Sequence, residues 1–238
     1  MKRVIQCLLT GLLLWTSVQG NAQSHQEYYQ TLQQWMQDMK KVQFPAPGQY
    51  YLMHLRMKMV PRNKYLENKE TEVKMIAGAT QLVYETDQVS IYQDERNLYQ
   101  VFHPQKLILH KSVSSNDFKQ RQAYAQQMTL LQQELFAQSK VVQVKDGTYQ
   151  GQPIKLITMQ VAPKAQQRFK VKKVVYYFNL AKKYLEKQVV HFTDAHLLEN
   201  QEIYYLQLNA HYKGYVPATA QAAIQAGKYR GYTLETSR

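Results

Sequence analysis

The stretch YLMHLRMKMV, beginning at Tyr51, places Tyr51, Met53, Leu55, Met57 and Met59 on one set of alternating positions and His54, Arg56 and Lys58 on the other. A period of two over this length predicts a strand with one buried and one wet side. The buried side is soft, because methionine is unbranched and polarizable. It fills irregular gaps in an ordinary sheet core and also lines surfaces that accept ligands of variable shape. Upstream, Ser24 can cap a helix in which Tyr28, Leu32, Trp35, Met36 and Met39 form one apolar stripe. That helix stops before FPAPG, where two prolines and a glycine break the pattern.

Downstream the pattern stays at period two. VKMIA, QLVYET, QVSIY, NLYQVF and KLILH predict five strands joined by short polar connections, as in an antiparallel meander. A second single-stripe helix follows, with Ser115 or Asn116 as its cap and Tyr124, Met128, Leu131 and Leu135 on its apolar side. Strands resume with KVVQV, a DG turn at Asp146 and Gly147, and then IKLITMQV, KVKKVVYYF, LEKQVVHF and EIYYLQLNAHY. KVKKVVYYF is apolar on both faces toward its end, which predicts a central or helix-covered strand. An alanine-rich helix near 218–226, ended by Gly227, precedes a polar tail.

This order predicts an α+β fold: a large curved antiparallel sheet, an incomplete barrel, with helices packed on its concave face. No Pro/Gly/Ser-rich linker or internal repeat divides it, so residues 23–238 form one domain. Between the helix stripes and the sheet lies room for a greasy ligand. Tyr51, Met53, Leu55, Met57 and Met59, with Met75 from VKMIA and Trp35 and Met128 from the helices, are its candidate lining.

Residues 1–22 change the compartment. Lys2 and Arg3 precede an apolar run, and small residues follow at Gly20 and Ala22, the pattern of a cleaved secretory signal. Cleavage after Gly20 or after Ala22 suits it equally. The only cysteine, Cys7, leaves with that leader, so the remaining chain has no disulfide and no thiolate. Removing Lys2 and Arg3 from 30 basic side chains still leaves a large excess over 17 acidic ones. In an exported protein such charge points to anionic lipid head groups, acidic glycans or an acidic protein surface, and not to nucleic acid.

Catalytic and metal patterns are sparse. HFTDAH brings His191, Asp194 and His196 together, but an extended strand turns His191 and Asp194 to opposite sides, and no HExxH helix occurs. There is no G-x-S-x-G elbow and no phosphate loop. Tyrosine interleaves with lysine in VKKVVYYF and AKKYLEK, which suits stacking but equally suits plain strand residues. The expectation is therefore no enzyme, no metal and no cofactor.

DERNLYQVFHPQKLILH resembles the hairpin of the LolA-type periplasmic lipoprotein carriers, roughly D-G-K-x-L-W-x-Y-x-P. Asp94, Leu98, Tyr99, Phe102 and Pro104 match it; Glu95 replaces the glycine, and one additional residue separates Tyr99 from Pro104. VVYYFNLAKKYLEKQVVHF is similar to a second hairpin of the family. The resemblance implies an incomplete barrel with a helical lid over an apolar cavity for acyl chains. It implies a noncatalytic periplasmic carrier whose partner is a lipid or lipoprotein acyl chain, with an anionic membrane surface or an envelope protein as a further partner. Arg56 is a candidate for the family's functional arginine by location alone, and its strand parity points it away from the methionine side. The alternative is a structural or interaction subunit of a cell-envelope complex, with the same fold and a filled core.

Overall fold

A computed structural model describes residues 25–40 and 45–237, without the side chains of Ser237 and of part of the long helix 115–137. The leader and its cleavage sites, Ser24 as a cap, and the side chains of Ser115, Tyr124 and Met128 lie outside the described residues. Among the described residues no helix is long and apolar enough to cross a membrane.

Helix α1 spans 25–40. Six strands follow: β1 (Tyr50–Pro61), β2 (Lys69–Gly78), β3 (Leu82–Glu85), β4 (Val89–Gln93), β5 (Asn97–Phe102) and β6 (Leu107–Ser112). Helix α2 (Ser115–Ala137) leads into β7 (Ser139–Tyr149) and β8 (Gln152–Val161), and the short α3 (Pro163–Phe169) into β9 (Val171–Asn179), β10 (Tyr184–Phe192) and β11 (Leu198–Asn209). The chain closes with α4 (Ala220–Gln225) and β12 (Thr233–Ser237). All twelve strands join one sheet in the order β12-β6-β5-β4-β3-β2-β1-β11-β10-β9-β8-β7. Its edges, β12 and β7, do not meet, so the sheet is an incomplete barrel.

Every pairing is antiparallel except β12 with β6. The expected polar tail is thus an edge strand, invisible to patterning because TLETS has no alternating apolar side. β9 lies between β8 and β10, the central place its two apolar faces predict. Helix α3 was also hidden: its seven residues bury only Ala165, and it is set by Pro163 at its first turn and Lys170 in the left-handed region (φ 57°) at its end. The cap of α2 is Ser114, one residue before the expected Ser115. Its hydroxyl accepts the Asp117 N–H at 3.3 Å, and the Asp117 carboxylate accepts the Ser114 N–H at 2.7 Å.

The DG turn expected at Asp146 and Gly147 does not form. β7 runs through both residues, pairing Asp146 with Lys155 and Gly147 with Ile154. The chain reverses at Gln150 and Gly151, whose φ values are 49° and 75°. Two consecutive positive values suit a tight hairpin turn. Gly147 serves packing instead, since a Cβ there would stand 3.1 Å from Leu156 Cδ1.

Two apolar clusters occupy opposite faces of this sheet. Leu52, Ile76, Val83, Tyr92 and Tyr99 are cross-strand neighbours from β1 to β5 and pack with Ala220, Ala223 and Tyr229 at α4. On the other face, Ile157, Met159, Val174, Tyr176 and Phe178 pack with Leu32 of α1, Phe136 of α2 and Ala165 of α3. Leu32 is wholly buried, a contribution of roughly 1.5–3 kcal/mol. Helices α1 and α2 thus cover the face that carries the methionine side of β1, and α4 backs the meander from behind.

Candidate functional site

One row of cross-strand neighbours forms the floor beneath α1 and α2: Met57 of β1, Ile203 of β11, Gln188 of β10, Tyr176 of β9 and Ile157 of β8. A β-bulge in β11 shapes the floor further. The partner of His54 is Gln207 and that of Leu55 is Tyr205, so Leu206 is the extra residue. A bulge switches side-chain parity, which lets Ile203, Tyr205 and Leu208 all face the same side.

Above this floor is a cavity of about 360 Å³. Its roof is Trp35, Met36 and Met39 of α1 and Leu135 and Phe136 of α2. Its floor includes Tyr51, Met53, Leu55 and Met57 together with Met159, Val174, Tyr176, Val190 and Tyr205. Five of the chain's nine methionines therefore meet around one space. Polar lining residues are Lys40, Thr129, Gln132, Gln133, Ser139 and Gln188, and the Gln188 side-chain carbonyl accepts the Tyr205 hydroxyl at 3.2 Å. Burial pushes the Tyr205 and Tyr176 phenols up, so both stay protonated across the ordinary pH range.

Of the residues singled out in the sequence, Trp35, Tyr51, Met53, Leu55 and Met57 line this cavity. Met59 and Met75 stand outside the described lining. Met75 is the direct neighbour of Met53 on β2, and Met59 lies at the far end of β1 beside Lys69. The cavity extends from β1 toward β8, away from β2 and Met75; Met59 shares a cross-strand row with the lining residues Val190, Val174 and Met159 but is not itself in the lining. Met36, Met39 and Met159 were not singled out. The stripe of α1 contained the first two, but strand pattern gave no reason to prefer Met159 over its neighbours.

Arg56 occupies the opposite face. Its guanidinium stands 4.8 Å from the Tyr204 ring centre, with Nε 3.5 Å from a Glu70 carboxylate oxygen. Lys187 lies between Tyr204 and Tyr177, 4.6 and 5.3 Å from their ring centres, and its ammonium reaches Glu202 at 2.6 Å. The tyrosine–lysine interleaving is thus a cation–π ladder across β9, β10, β11 and β1.

HFTDAH is used in a strand end. Arg62 donates to the Asp194 carboxylate at 2.9 Å, His196 stacks on Phe192 with centroids 3.9 Å apart, and burial, then the Lys173 charge, holds the His191 imidazole below its usual range. Among the described residues no three His, Cys, Asp or Glu side chains are placed to share a metal ion.

The stretch that resembles the LolA pattern begins in the β4–β5 turn and runs through the β5–β6 hairpin. Asp94 accepts the backbone N–H groups of Arg96 and Asn97 at 2.8 Å and that of Ala220 at 2.9 Å, tying the turn to the start of α4. An open antiparallel sheet with helices laid over an apolar cavity on one face is the architecture that resemblance implies.

No family model matches the sequence, and no curated protein matches it. Among solved structures, the chain is similar to an outer membrane lipoprotein-sorting protein domain from Vibrio parahaemolyticus, at 10% identity and a TM-score of 0.30 over 79% of this chain and 96% of that one. It is similar to a LolA superfamily protein from Nitrosomonas europaea at 7% identity and a TM-score of 0.27, over 74% and 91% of the two chains. A third likeness is to the Pseudomonas aeruginosa MucA/MucB complex, at 11% identity and a TM-score of 0.32, covering 79% of this chain and 59% of that one. At such identities and scores none of these assigns this chain a ligand.

Proposed function

We propose that residues 23–238 form one exported, noncatalytic carrier domain that holds an acyl chain of a lipid or lipoprotein between α1, α2 and the methionine side of β1. The observation that carries this reading is the cavity itself, an apolar space of ligand size walled by five methionines. Unbranched side chains adapt to a flexible hydrocarbon at little cost, and burying each methylene contributes about 0.8 kcal/mol. The exported location, in the periplasm or beyond, rests on the leader pattern of residues 1–22. An anionic membrane surface is the further partner: between Ser139 and Val190, Lys and Arg outnumber Asp and Glu by eleven to two, all on β7 to β10 and their connections.

Native mass spectrometry of the purified protein, before and after organic extraction, tests the reading. A carrier shows a mass surplus that extraction removes and that identifies as acyl lipid. The alternative, an envelope-complex subunit with a filled core, predicts no surplus and retention of a protein partner in a gentle pull-down.

A further inference from the structure

The cavity does not end at α1. On the other flank of that helix opens a second space of about 690 Å³, between Gln30, Gln34 and Asp38 of the helix and Leu180, Lys183 and Tyr184 at the β9–β10 turn. The two spaces have four lining residues in common: Trp35 and Met39 of α1, and Tyr51 and Leu208 of the sheet. These side chains form the partition between them. Both linings are mixed: five methionines and the aromatic rings predominate inside, with Lys40, Gln132, Gln133 and Gln188 among them, while the outer space sets the Asp38 carboxylate and the Lys183 ammonium at its edge.

Tyr51 is the polar member of that partition besides the Trp35 indole. It is 0% exposed, and its hydroxyl has no hydrogen-bond partner among the described residues. Nearby phenols are paired: the Tyr205 hydroxyl donates to Gln188, and that of Tyr184 to the Tyr205 backbone carbonyl at 3.2 Å. Burial, reinforced by the Tyr184 phenol, raises Tyr51 above the ordinary phenol range, which leaves a neutral O–H donor. Leaving a buried hydroxyl unpaired is costly, and the exceptions that persist call for a reason. A ligand acceptor arriving at the partition is such a reason.

Resting on the carrier reading above, we infer that the ligand is an amphiphile with one acyl chain, whose carbonyl crosses the partition and accepts a hydrogen bond from Tyr51. Its hydrocarbon lies in the inner cavity and its polar head in the outer space beside Lys183. The inner volume, near the lower end of small-molecule pockets, suits one chain better than several. Both an ester and a free carboxyl supply the acceptor.

The experiment measures binding of monolauroylglycerol, lauric acid and dodecane to the wild type and to Tyr51→Phe. The expected result is that Tyr51→Phe weakens the ester or the acid about five- to tenfold, leaves dodecane unchanged, and leaves the urea midpoint of the empty protein unchanged or higher. Whichever carbonyl ligand the wild type binds more tightly identifies the source class. Equal binding of all three by both proteins, or a parallel loss of all three, overturns the inference while leaving the carrier reading in place. A wild type that binds none of the three overturns both. Leu208→Trp narrows the same partition by another route. It is expected to weaken the carbonyl ligands and spare dodecane, and an equal effect on all three overturns the two-compartment arrangement.

Discussion

Trp35 and Tyr205 meet edge to face, their ring centroids 5.6 Å apart and their planes at 84°, so the roof helix rests on the floor strand at the wall of the cavity. The chain has two tryptophans, Trp15 in the expected leader and Trp35. A chain beginning at residue 23 therefore carries a single tryptophan, selectively excited near the red edge of protein absorption, in the partition between the two spaces. Entry of an acyl ligand is expected to shift Trp35 emission to shorter wavelength, because hydrocarbon replaces a more polar surrounding. Unchanged emission at a ligand concentration that saturates an independent assay would locate the ligand elsewhere.

Met57 gives the complementary test of packing. A tightly packed core methionine changed to alanine costs about 2–5 kcal/mol. Met57 is half-buried and borders open volume, so Met57→Ala is expected to cost about 1 kcal/mol in urea unfolding. Met57→Glu sets a carboxylate against the ligand and is expected to abolish uptake of a fluorescent acyl probe while the protein still folds. A loss above about 3 kcal/mol in the first, or full uptake in the second, would make this side of β1 ordinary core.

Asp94 gathers three backbone N–H groups, one of them from Ala220, far along the chain. Burial alone would raise its carboxyl, but those N–H groups outweigh it and hold the group below the usual carboxylate range. Asp94→Ala is expected to cost about 1–3 kcal/mol and to speed amide exchange in α4 more than in β8 or β9. Uniform acceleration across the sheet would instead mean global unfolding.

The Lys187–Glu202 pair supplies a pH dependence. Burial pushes Glu202 up, yet the hydrogen bonds from Lys187 and the Tyr204 phenol prevail and lower it. A depressed folded value means that its stabilisation is fully present above the unfolded glutamate value, about 4.3, and is lost as pH falls through the lower folded value. Glu202→Gln is expected to be about 1–2 kcal/mol less stable than wild type at pH 7, the gap narrowing as pH falls below the unfolded glutamate value and the carboxylate protonates. A difference independent of pH would assign the effect to packing.

Gln150 occupies the left-handed region at φ 49° without being glycine. Left-handed backbone costs a residue with a Cβ roughly 1–2 kcal/mol, part of which glycine returns as unfolded-chain entropy. Gln150→Gly is expected to stabilise the protein by about 0.5–1 kcal/mol, read as a higher urea midpoint at unchanged slope. A lower midpoint would place the β7–β8 reversal elsewhere.

Local pattern determined much of this protein. Period-two runs marked β1 to β6 and β8 to β11, and KVVQV the first half of β7, because alternation reports which side chains share a face and each of these strands has at least one buried residue on a face. Single apolar stripes marked α1 and α2 for the same reason. Where burial is slight, pattern fell silent: α3 buries one alanine, and the edge strand β12 is held by backbone pairing with β6 that no side chain signals. A glycine read as a turn proved to be a strand position chosen for close packing against Leu156.

What tertiary structure alone decided is which neighbours each face meets. Alternation put Met53, Met57 and Met75 in one class, but only the order of strands sends the cavity from β1 toward β8, enclosing the first two and Met159 and passing by Met75. The bulge at Leu206, which turns Leu208 inward, cannot be seen in a strand read by itself. Nor can the unpaired hydroxyl of Tyr51, since a tyrosine's need for a partner is written in its chemistry, whereas the lack of one depends on every residue folded around it.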